Sequence, residues 1–362
     1  MPPQPRPGIL EIAPYIGGEA RIPGIERPIR LASNENPFGA SPAAIAAYHA
    51  AAAELNRYPD GSATALREAI GRAHGLDPER IVCGAGSDEL LHLLVRGYAG
   101  PGDEVLVSRH GFLVYPIAAR AAGATPVDAP EPALKADVDA LLARVTPRTR
   151  LVLLSNPSNP TGSHLTPAEI ERLREGLPED VLLVLDAAYA EYVTEPDYEP
   201  GAALVGRHQA VAMTRTFSKI YGLAALRLGW VYAPPAIVDV LNRLRGPFNV
   251  PGPTQAAGIA ALGDRVFLER CQAHNQRWRS WLVEELRKAG LTAHPSLCNF
   301  VLAEFPAEHG RDAAAALAFL KSRGILVRGM GAYRLPNCLR ITIGTEEEMR
   351  ATASALAEFT TA

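Results

Sequence analysis

The sequence is poor in cysteine and has no long hydrophobic run. Its four cysteines are far apart and form no Cys-x-x-Cys pair; they are Cys83, Cys271, Cys298 and Cys338. This spacing predicts neither a zinc site nor a disulfide framework, so we expect no bound metal and a reduced, cytoplasmic compartment. No apolar run approaches the roughly 18 residues needed to cross a bilayer. The opening MPPQPRPGIL also lacks the apolar segment of a signal peptide.

A strong excess of one charge is absent as well. The 36 lysines and arginines nearly balance 39 aspartates and glutamates, for a net charge of -3, which argues against binding to nucleic acid or to a membrane surface. Apolar residues, in contrast, make up 48% of the chain, enough for a sizeable core. A length of 362 residues suits two average domains, or one large domain with a smaller companion.

The first 250 residues divide into two parts. Residues 1–30 are rich in proline and glycine and predict an extended N-terminal arm. In residues 31–250, short apolar runs such as EVLVS, LVLLS and VLLVLD alternate with helical patterns. This alternation predicts a large α/β domain with a mostly parallel sheet between helices. One helix start is well marked, because Thr166, Pro167 and Glu169 form a capping-box pattern.

Residues 251–362 have a different pattern. A break rich in proline and glycine, GPFNVPGPTQ, precedes a long helical pattern that ends at Gly290. Short strands with alternating polarity follow. In LRITIG the apolar residues share one face, and we expect Arg340 and Thr342 on the other, open face. This part is therefore predicted to be a linking helix and a smaller α+β domain.

A candidate phosphate site follows the predicted strand IVC. In CGAGSDE, Gly84 and Gly86 allow a close backbone approach, and Ser87 or Asp88 is expected to cap the next helix. Free N–H groups and the dipole at such a helix start attract phosphate. A dinucleotide fingerprint would require a third glycine where Glu89 stands. The alternative interpretation is an ordinary glycine turn with a helix cap.

Two further segments place polar residues directly after apolar runs. The two Asn-Pro pairs of SNPSNPTG predict a rigid, extended loop that presents Asn159 at the carboxyl end of a strand, unless the loop is a plain turn. In VLLVLDAAYAEY, Asp186 ends an apolar run, and a buried carboxylate there needs a cation or a donor. Its alternative role is a helix cap. Tyr189 stands three residues later, near the same site.

The segment TRTFSKIYGLAALRLGW contains a single lysine, Lys219. It lies just past the predicted strand AVAMT, near Thr216, Ser218 and Gly222. Most lysines are solvated surface charges, which is the alternative here. A desolvated lysine near other cations, however, loses its proton and acts as a nucleophile and base. Arg227 in the same segment can bind a phosphate as a two-pronged donor.

The order of these segments resembles the fold-type I pyridoxal-phosphate aminotransferases, and more narrowly the histidinol-phosphate aminotransferase family. The resemblance spans nearly the whole chain, through LASNENPFG, NRYPDG, GAGSDE, NPSNPTG, DAAYAEY, TRTFSKIYGLAALRLGW and LRITIGT. It implies a large domain with a mostly parallel seven-stranded sheet, a smaller α+β domain and an N-terminal arm that packs with the small domain or a partner subunit. It also implies pyridoxal 5'-phosphate as cofactor.

The resemblance implies roles for single residues around the cofactor. Lys219 holds it as a Schiff base, and the amine, once displaced by substrate, moves a proton. Asp186 pairs with the pyridine nitrogen, while Asn159 and Tyr189 bond the phenolic oxygen and tune the reaction. Phe112 stacks on the ring, with a core aromatic as the alternative. The phosphate is bound by backbone N–H groups of Ser87 and Asp88, and by Thr216, Ser218 and Arg227.

The remaining matches concern the substrate and a neighbouring subunit. Tyr58 corresponds to a tyrosine that reaches the phosphate bound by the neighbouring subunit, which implies a homodimer with shared active sites. Arg340 corresponds to the arginine that binds the substrate carboxylate. Tyr15 and Arg328 match positions used for the other end of the substrate, a phosphate or side-chain carboxylate. Asn34 matches a substrate-side position.

The resemblance implies an amino-group exchange with 2-oxoglutarate and L-glutamate as one substrate pair. The expected second pair is histidinol phosphate and imidazole-acetol phosphate, in histidine biosynthesis. Aromatic aminotransferases, which act on phenylalanine or tyrosine, and threonine-phosphate decarboxylases are the alternatives. The chain departs from the family at Ala187, where a glutamate is common, and at Ile220, where a small residue usually follows the lysine. These departures concern packing around the site and leave the expected chemistry unchanged.

Overall fold

The computed structural model describes residues 3–361. The first two residues of the predicted arm and the last residue of the predicted small domain lie outside this range. The β-strands are β1 (Ile29–Arg30), β2 (Ile81–Gly84), β3 (Glu104–Ser108), β4 (Thr125–Ala129), β5 (Thr149–Ser155), β6 (Leu182–Asp186), β7 (Val211–Thr216), β8 (Gly229–Tyr232), β9 (Thr292–His294), β10 (Phe300–Glu304), β11 (Ile325–Leu326), β12 (Arg328–Gly329) and β13 (Cys338–Thr342). The α-helices are α1 (Pro42–Ala51), α2 (Thr64–His74), α3 (Gly86–Tyr98), α4 (Val114–Ala122), α5 (Val138–Leu142), α6 (Pro167–Gly176), α7 (Ala202–Arg207), α8 (Pro235–Leu244), α9 (Gly252–Gly263), α10 (Arg265–Lys288), α11 (Ala313–Ser322) and α12 (Glu346–Thr361).

Seven strands form the large sheet, in the order β2-β8-β7-β6-β5-β3-β4. Only β8 runs antiparallel to its neighbours β2 and β7 among the described strands of this sheet. In β6, Leu183 and Leu185 pack into one hydrophobic cluster, while Leu182 and Val184 pack into another on the opposite face. Because both faces are buried, the strands are continuous apolar runs. The predicted α/β fold with a mostly parallel seven-stranded sheet is confirmed.

The sheet topology brings the polar residues that follow the strands to one edge. Strands β5, β6 and β7 are adjacent and parallel, so their carboxyl ends lie side by side. Ser155 is paired in register with Asp186, and Asp186 with Thr214. The segments that contain Asn159 and Lys219 leave β5 and β7 at this same edge.

A smaller sheet forms in the C-terminal part, in the order β12-β13-β10-β9, and all of its pairs are antiparallel. Its hydrophobic cluster includes Trp278 and Leu282 of α10, Val301 of β10 and Ile341 of β13. Strand β1 pairs in parallel with β11, so the chain crosses from the arm to the large sheet by way of this smaller domain.

The helices around residue 250 connect the two cores. Ala257 and Ala261 of α9 pack in the core of the large sheet, so this helix, which the sequence analysis assigned to the small domain, shares the large domain's core. The next helix, α10, contributes Phe267 to the core of the large sheet and Leu282 to that of the small one. The predicted boundary after residue 250 stays a prediction. We propose that the large domain's core extends through α9.

Two local predictions have clear outcomes. The capping box at the start of α6 is confirmed, because the Thr166 side chain accepts from the Glu169 backbone and the Glu169 side chain accepts in return. The open face predicted for LRITIG is wrong. Every residue of β13 is buried, because the face with Arg340 and Thr342 packs against segments from the other end of the chain, as described below.

Candidate active site

A cleft of about 470 Å³ opens at the carboxyl ends of β5, β6 and β7, and the small sheet and the arm form its other walls. Almost all of the residues predicted to form the site line it: Tyr15, Asn34, Ser87, Asp88, Phe112, Asn159, Asp186, Tyr189, Thr216, Ser218, Lys219, Arg227, Arg328 and Arg340. Tyr58 is the exception. It is 82% exposed and stacks on Phe248 with ring centroids 4.6 Å apart.

The side chain of Lys219 lines the cleft and is half-buried there, which favours the predicted role over a freely solvated surface lysine. Its Nζ donates to the carbonyl of Ser33 at 3.3 Å and lies 5.8 Å from the centre of the Tyr189 ring. Within residues 3–361 it forms no salt bridge. Burial, together with the nearby Arg340 and Arg227 guanidinium groups, lowers the pKa of the amine to about 8, although Asp88 has an opposing effect. A substantial fraction of the amine is therefore neutral near pH 8.

We expect the cofactor-free protein to capture pyridoxal phosphate at a rate that rises with pH and has its midpoint near 8. The neutral amine is the reactive form, and a lysine with an ordinary pKa would place the midpoint above pH 10. Stopped-flow absorbance between pH 6 and 10 measures this rate. In Arg340→Met the midpoint should move to higher pH, since one cation that lowers the pKa is gone. A wild-type midpoint near 10 would contradict the environment assigned to Lys219.

Asp186 ends β6 as a buried carboxylate that forms no salt bridge within residues 3–361. The hydroxyl of Tyr115 donates to its Oδ2 at 2.9 Å, and that of Thr214 donates to its Oδ1 at 3.0 Å. Burial raises the pKa of this carboxyl to about 6 although both hydrogen bonds lower it. Within the described chain the carboxylate accepts no backbone N–H, so it does not cap a helix. The site thus presents one buried negative charge to the cleft.

Tyr115 and Thr214 were not identified from the sequence. Thr214 had a usable signal, because it precedes Thr216 by two positions on β7 and therefore lies on the same face of the strand. It is also paired in register with Asp186. Tyr115 had none, because it is one of several aromatic and apolar residues at the start of α4, and its hydroxyl is brought to β6 only by the packing of that helix.

Arg340 is a buried cation that also lacks an ionic partner. It is 4% exposed, lies 5.2 Å from the centre of the Phe300 ring, and has no acidic neighbour within salt-bridge distance in the described residues. Its Nη1 donates to Asn159 Oδ1 at 2.5 Å and its Nη2 to the carbonyl of Ala32 at 2.9 Å, while Nε has no partner. A buried guanidinium in this state can bind an anion.

A second candidate anion site lies where α3 begins. The Nη1 of Arg227 is 3.2 Å from Ser218 Oγ, and its Nη2 is 3.2 Å from Asp88 Oδ2. Ser218 in turn contacts Thr216, hydroxyl to hydroxyl, at 3.1 Å. A Cβ on Gly86 would lie 2.5 Å from the Arg227 guanidinium, so this guanidinium can pack against the helix start only because residue 86 is glycine.

The expectation that Ser87 or Asp88 caps α3 is wrong. The helix begins at Gly86 and its N-cap, Ala85, makes no side-chain cap bond. Ser87 and Asp88 lie in the first turn instead, where backbone N–H groups have no partner within the helix. A Cβ on Gly229 would come within 2.3 Å of the Ser87 nitrogen. The first turn of α3 therefore offers free N–H groups beside the hydroxyls of Thr216 and Ser218 and the guanidinium of Arg227. A phosphate site requires such a set of donors.

The outer end of the cleft is formed by the arm and β12. Arg328 donates to the carbonyl of Ile16 at 2.7 Å and lies 5.7 Å from the centre of the Tyr15 ring. Tyr15 meets Phe112 edge to face at 6.3 Å. Phe112 also packs edge to face on Tyr115 at 5.8 Å, so it lines the cleft and touches the core at once. These contacts bring one more cation, Arg328, to the cleft.

The geometry of the cleft agrees with the family and the proteins that this chain resembles. Residues 26–356 match the family Aminotransferase class I and II. The chain belongs to this family.

Several aminotransferases resemble the chain over its full length. It is 60% identical to the histidinol-phosphate aminotransferase of Rhodospirillum centenum, over 99% of the chain and 98% of that protein. It is 57% identical to the enzyme of the same name from Paramagnetospirillum magneticum, with the same two coverages. The crystal structure of histidinol-phosphate aminotransferase from Sinorhizobium meliloti, in complex with pyridoxal-5'-phosphate, superposes with a TM-score of 0.89 at 31% identity, covering 98% of this chain and 97% of that one. The resemblance inferred from the sequence is confirmed, and the chain is a pyridoxal-phosphate-dependent aminotransferase.

The residues present fit this cofactor. The buried Asp186 carboxylate has no salt-bridge partner in the described chain, and the protonated pyridine nitrogen would supply one. The helix start at Gly86, with Arg227, Ser218 and Thr216, suits the phosphate. Lys219 offers an amine with a lowered pKa between these two sites. A cleft with one buried anion, one phosphate site and one reactive amine matches the cofactor's three functional groups.

Proposed function

We propose that this aminotransferase moves an amino group between histidinol phosphate and 2-oxoglutarate, and so acts in histidine biosynthesis. The observation that carries the proposal is the pair of arginines, Arg340 and Arg328, which reach the cleft without acidic partners in residues 3–361. The relatives that are 57–60% identical over 99% of the chain have the name of this activity, which supports the same substrate here.

In this proposal each site residue has its own role in the reaction. When bound, the cofactor withdraws electrons from the substrate's α carbon, which makes its proton acidic. Lys219 holds the cofactor and, once freed, its amine moves that proton from the α carbon. Asp186 keeps a negative charge against the ring nitrogen, so that the nitrogen stays protonated. Asn159 and Tyr189 bind the phenolic oxygen of the ring.

The charges of the cleft suit substrates with anionic ends. L-glutamate has two carboxylates, and we assign its α-carboxylate to Arg340 and its side chain to Arg328 and Tyr15. Histidinol phosphate has no carboxylate but has one phosphate. This phosphate matches the end of the cleft formed by Arg328 and Tyr15. Phenylalanine and tyrosine would place an apolar or phenolic ring against Arg328, which leaves that charge without a partner.

A panel of half-reactions tests this substrate assignment. Cofactor-loaded protein is mixed separately with glutamate, histidinol phosphate, phenylalanine, tyrosine and threonine phosphate, and the change in cofactor absorbance is followed. We expect conversion with glutamate and histidinol phosphate, with kcat/KM for histidinol phosphate at least about 100-fold above that for either aromatic amino acid. A preference for phenylalanine or tyrosine would replace the proposed substrate. Release of CO₂ from threonine phosphate would instead indicate a decarboxylase.

We further propose a cytoplasmic homodimer with shared active sites. The free, buried cysteines Cys83, Cys271, Cys298 and Cys338 suit a reducing compartment. No helix in the described part of the chain is long and apolar enough to cross a membrane. Large apolar side chains are exposed on α1, at Leu55 and on Phe248, which stacks on Tyr58, and a second copy of the chain would bury them: Ile45, Tyr48, Leu55 and Phe248.

Mixing two inactive variants should restore activity if Tyr58 serves the neighbouring site. Lys219→Ala removes the amine of its own site, and Tyr58→Ala removes the tyrosine that its partner needs. In a mixed dimer, one site combines the intact Lys219 of one chain with the intact Tyr58 of the other. Unfolding and refolding the two variants together should therefore give more activity than either alone. No gain, with mixed dimers confirmed by native mass spectrometry, would place Tyr58 outside the partner's site.

A further inference from the structure

Asn34, predicted to lie on the substrate side, forms its hydrogen bonds with other residues of the protein. It lies in the loop between β1 and α1, is 1% exposed, and has a left-handed backbone with φ of 56°. Asparagine tolerates this region better than most residues. Its N–H donates to Thr342 Oγ1 at 3.0 Å, and its carbonyl accepts from Asn299 Nδ2 at 3.0 Å. The backbone of Asn34 is thereby fixed to the small sheet.

The side-chain amide of Asn34 joins this anchor to Tyr189. Its Nδ2 donates to the Tyr189 hydroxyl at 2.8 Å, and its Oδ1 accepts from the Thr342 hydroxyl at 3.1 Å. In this orientation the Asn34 amide and the Thr342 hydroxyl both have partners, and the hydroxyl proton left without an acceptor among these three side chains is that of Tyr189, which lines the cleft. With the amide reversed, the Thr342 hydroxyl proton would lose its acceptor, and buried polar groups are rarely left in that state. The Tyr189 hydroxyl is therefore an acceptor toward Asn34.

This arrangement determines where the Tyr189 proton points. Burial raises the pKa of the phenol, so it stays neutral and keeps one proton to donate. Its ring is held edge to face by Phe300, with centroids 5.5 Å apart. In the described chain the hydroxyl has no hydrogen-bond acceptor for this proton, and Tyr189 lines the cleft. The remaining direction for the proton is into the cleft.

We propose that Asn34 is a positioning residue that makes Tyr189 a hydrogen-bond donor to the cofactor's phenolic oxygen. By occupying the acceptor side of the phenol, Asn34 leaves the Tyr189 proton for the cleft and strengthens it as a donor, because linked hydrogen bonds polarise one another. The inference rests on the proposed role of Tyr189 at the cofactor. It assigns to Asn34 no direct contact with the substrate.

The same contacts link this positioning to Arg340. Thr342 and Arg340 are two residues apart on β13 and so point to the same face. Arg340 reaches Asn159, and Thr342 reaches Asn34, whose amide continues to Tyr189. Both groups that we assign to the phenolic oxygen, Asn159 and Tyr189, are therefore held by one face of this strand.

The pH titration of the visible absorbance of the cofactor-loaded enzyme tests the proposal. A hydrogen bond to the phenolic oxygen stabilises its anionic form. In Asn34→Ala the bond from Tyr189 to the phenolic oxygen weakens. The acid ionisation constant of the bound cofactor should then fall by about fivefold, the effect of one typical hydrogen bond. The titration midpoint therefore moves to higher pH. Asn34→Asp keeps the shape but offers only acceptors, so it should shift the midpoint in the same direction and further.

A double-mutant cycle separates positioning from a general structural effect. Tyr189→Phe should shift the midpoint by itself, and adding Asn34→Ala to it should cause no further shift, because Asn34 acts through the Tyr189 hydroxyl. Thr342→Ser, which keeps the hydroxyl, should titrate like the wild type. An unchanged midpoint in both Asn34 variants, or an equal further shift in the Tyr189→Phe background, would overturn the proposal. A wild-type protein without visible cofactor absorbance would instead reject the proposed function itself.

Discussion

Replacing Lys219 with alanine is expected to lower kcat by about 10⁴-fold or more, since the same side chain anchors the cofactor and moves the proton. The contacts that surround Lys219 support both tasks. Its amine faces the cleft beside Tyr189, and burial with two nearby arginines lowers its pKa to about 8. Single-turnover conversion with glutamate measures the loss without interference from product release.

Two further variants give this prediction its controls. Lys219→Arg keeps a positive charge but has no amine that loses its proton near neutral pH, so it should be as inactive as the alanine variant. Lys288→Ala removes an exposed lysine that pairs with Glu285 at the end of α10, and it should retain wild-type turnover. Turnover within about tenfold of wild type in Lys219→Ala would remove the proton-transfer role, which general acid–base catalysis places at 10²–10⁴-fold.

Replacing Asp186 with asparagine is expected to have opposite effects on activity and on stability. Without this negative charge the ring nitrogen would lose its proton in the buried site and the cofactor would withdraw electrons less strongly. This should lower kcat by about 10²- to 10³-fold, the size of the effect of breaking a buried ion pair. The same change removes a buried carboxylate that has no cationic partner in the cofactor-free chain. We therefore expect the cofactor-free variant to be more stable than the cofactor-free wild type.

The pH dependence of this gain follows from the raised pKa of Asp186. Its pKa of about 6 in the folded protein lies above the ordinary aspartate value of 3.8, so the folded state binds this proton more tightly than the unfolded state does. Raising the pH from about 4 to about 6 therefore destabilises the wild type relative to Asp186→Asn. Above pH 6 the variant should be the more stable by up to about 3 kcal/mol, the equivalent of that pKa difference.

Urea unfolding of the cofactor-free proteins at pH 4.5 and pH 7.5 measures the difference. Asp139→Asn is a matched control, because Asp139 is an exposed carboxylate paired with Arg172, and its replacement should change little at either pH. If the cofactor-free Asp186→Asn protein is no more stable than the wild type at pH 7.5, then Asp186 is not the unpaired buried charge that we infer. With cofactor bound, the order of stability should reverse.

The sequence predicted the large sheet and most of the cleft because their signals are local. Strands buried on both faces are continuous apolar runs, and each functional residue of β6 and β7 stands directly after such a run. Asp186 and Lys219 could therefore be placed at one edge of the sheet before their contacts were known. Gly86 was also predicted to allow a close approach, and a Cβ at this position would lie 2.5 Å from the Arg227 guanidinium.

The errors arose where distant segments decide the environment. Arg340 was placed on an open face because its strand alternates, but Ala32, Asn34 and Asn159 cover that face. The hydrogen-bond partners of Asn34, Tyr189 and Thr342, lie 155 and 308 positions away. No local sequence pattern predicts these contacts. Helix α9 was hidden by a stretch rich in proline and glycine, although proline in the first turn favours the start of a helix.

The most direct test of the account is to find where the cofactor is attached. Borohydride reduction of the wild-type enzyme loaded with pyridoxal phosphate, followed by trypsin and mass spectrometry, identifies the modified lysine. Because a modified lysine resists cleavage, we expect the added mass on the uncut peptide TFSKIYGLAALR, residues 216–227, and its loss in Lys219→Ala. Attachment at Lys135, Lys288 or Lys321 instead, or no attachment at all, would contradict the site that we assign.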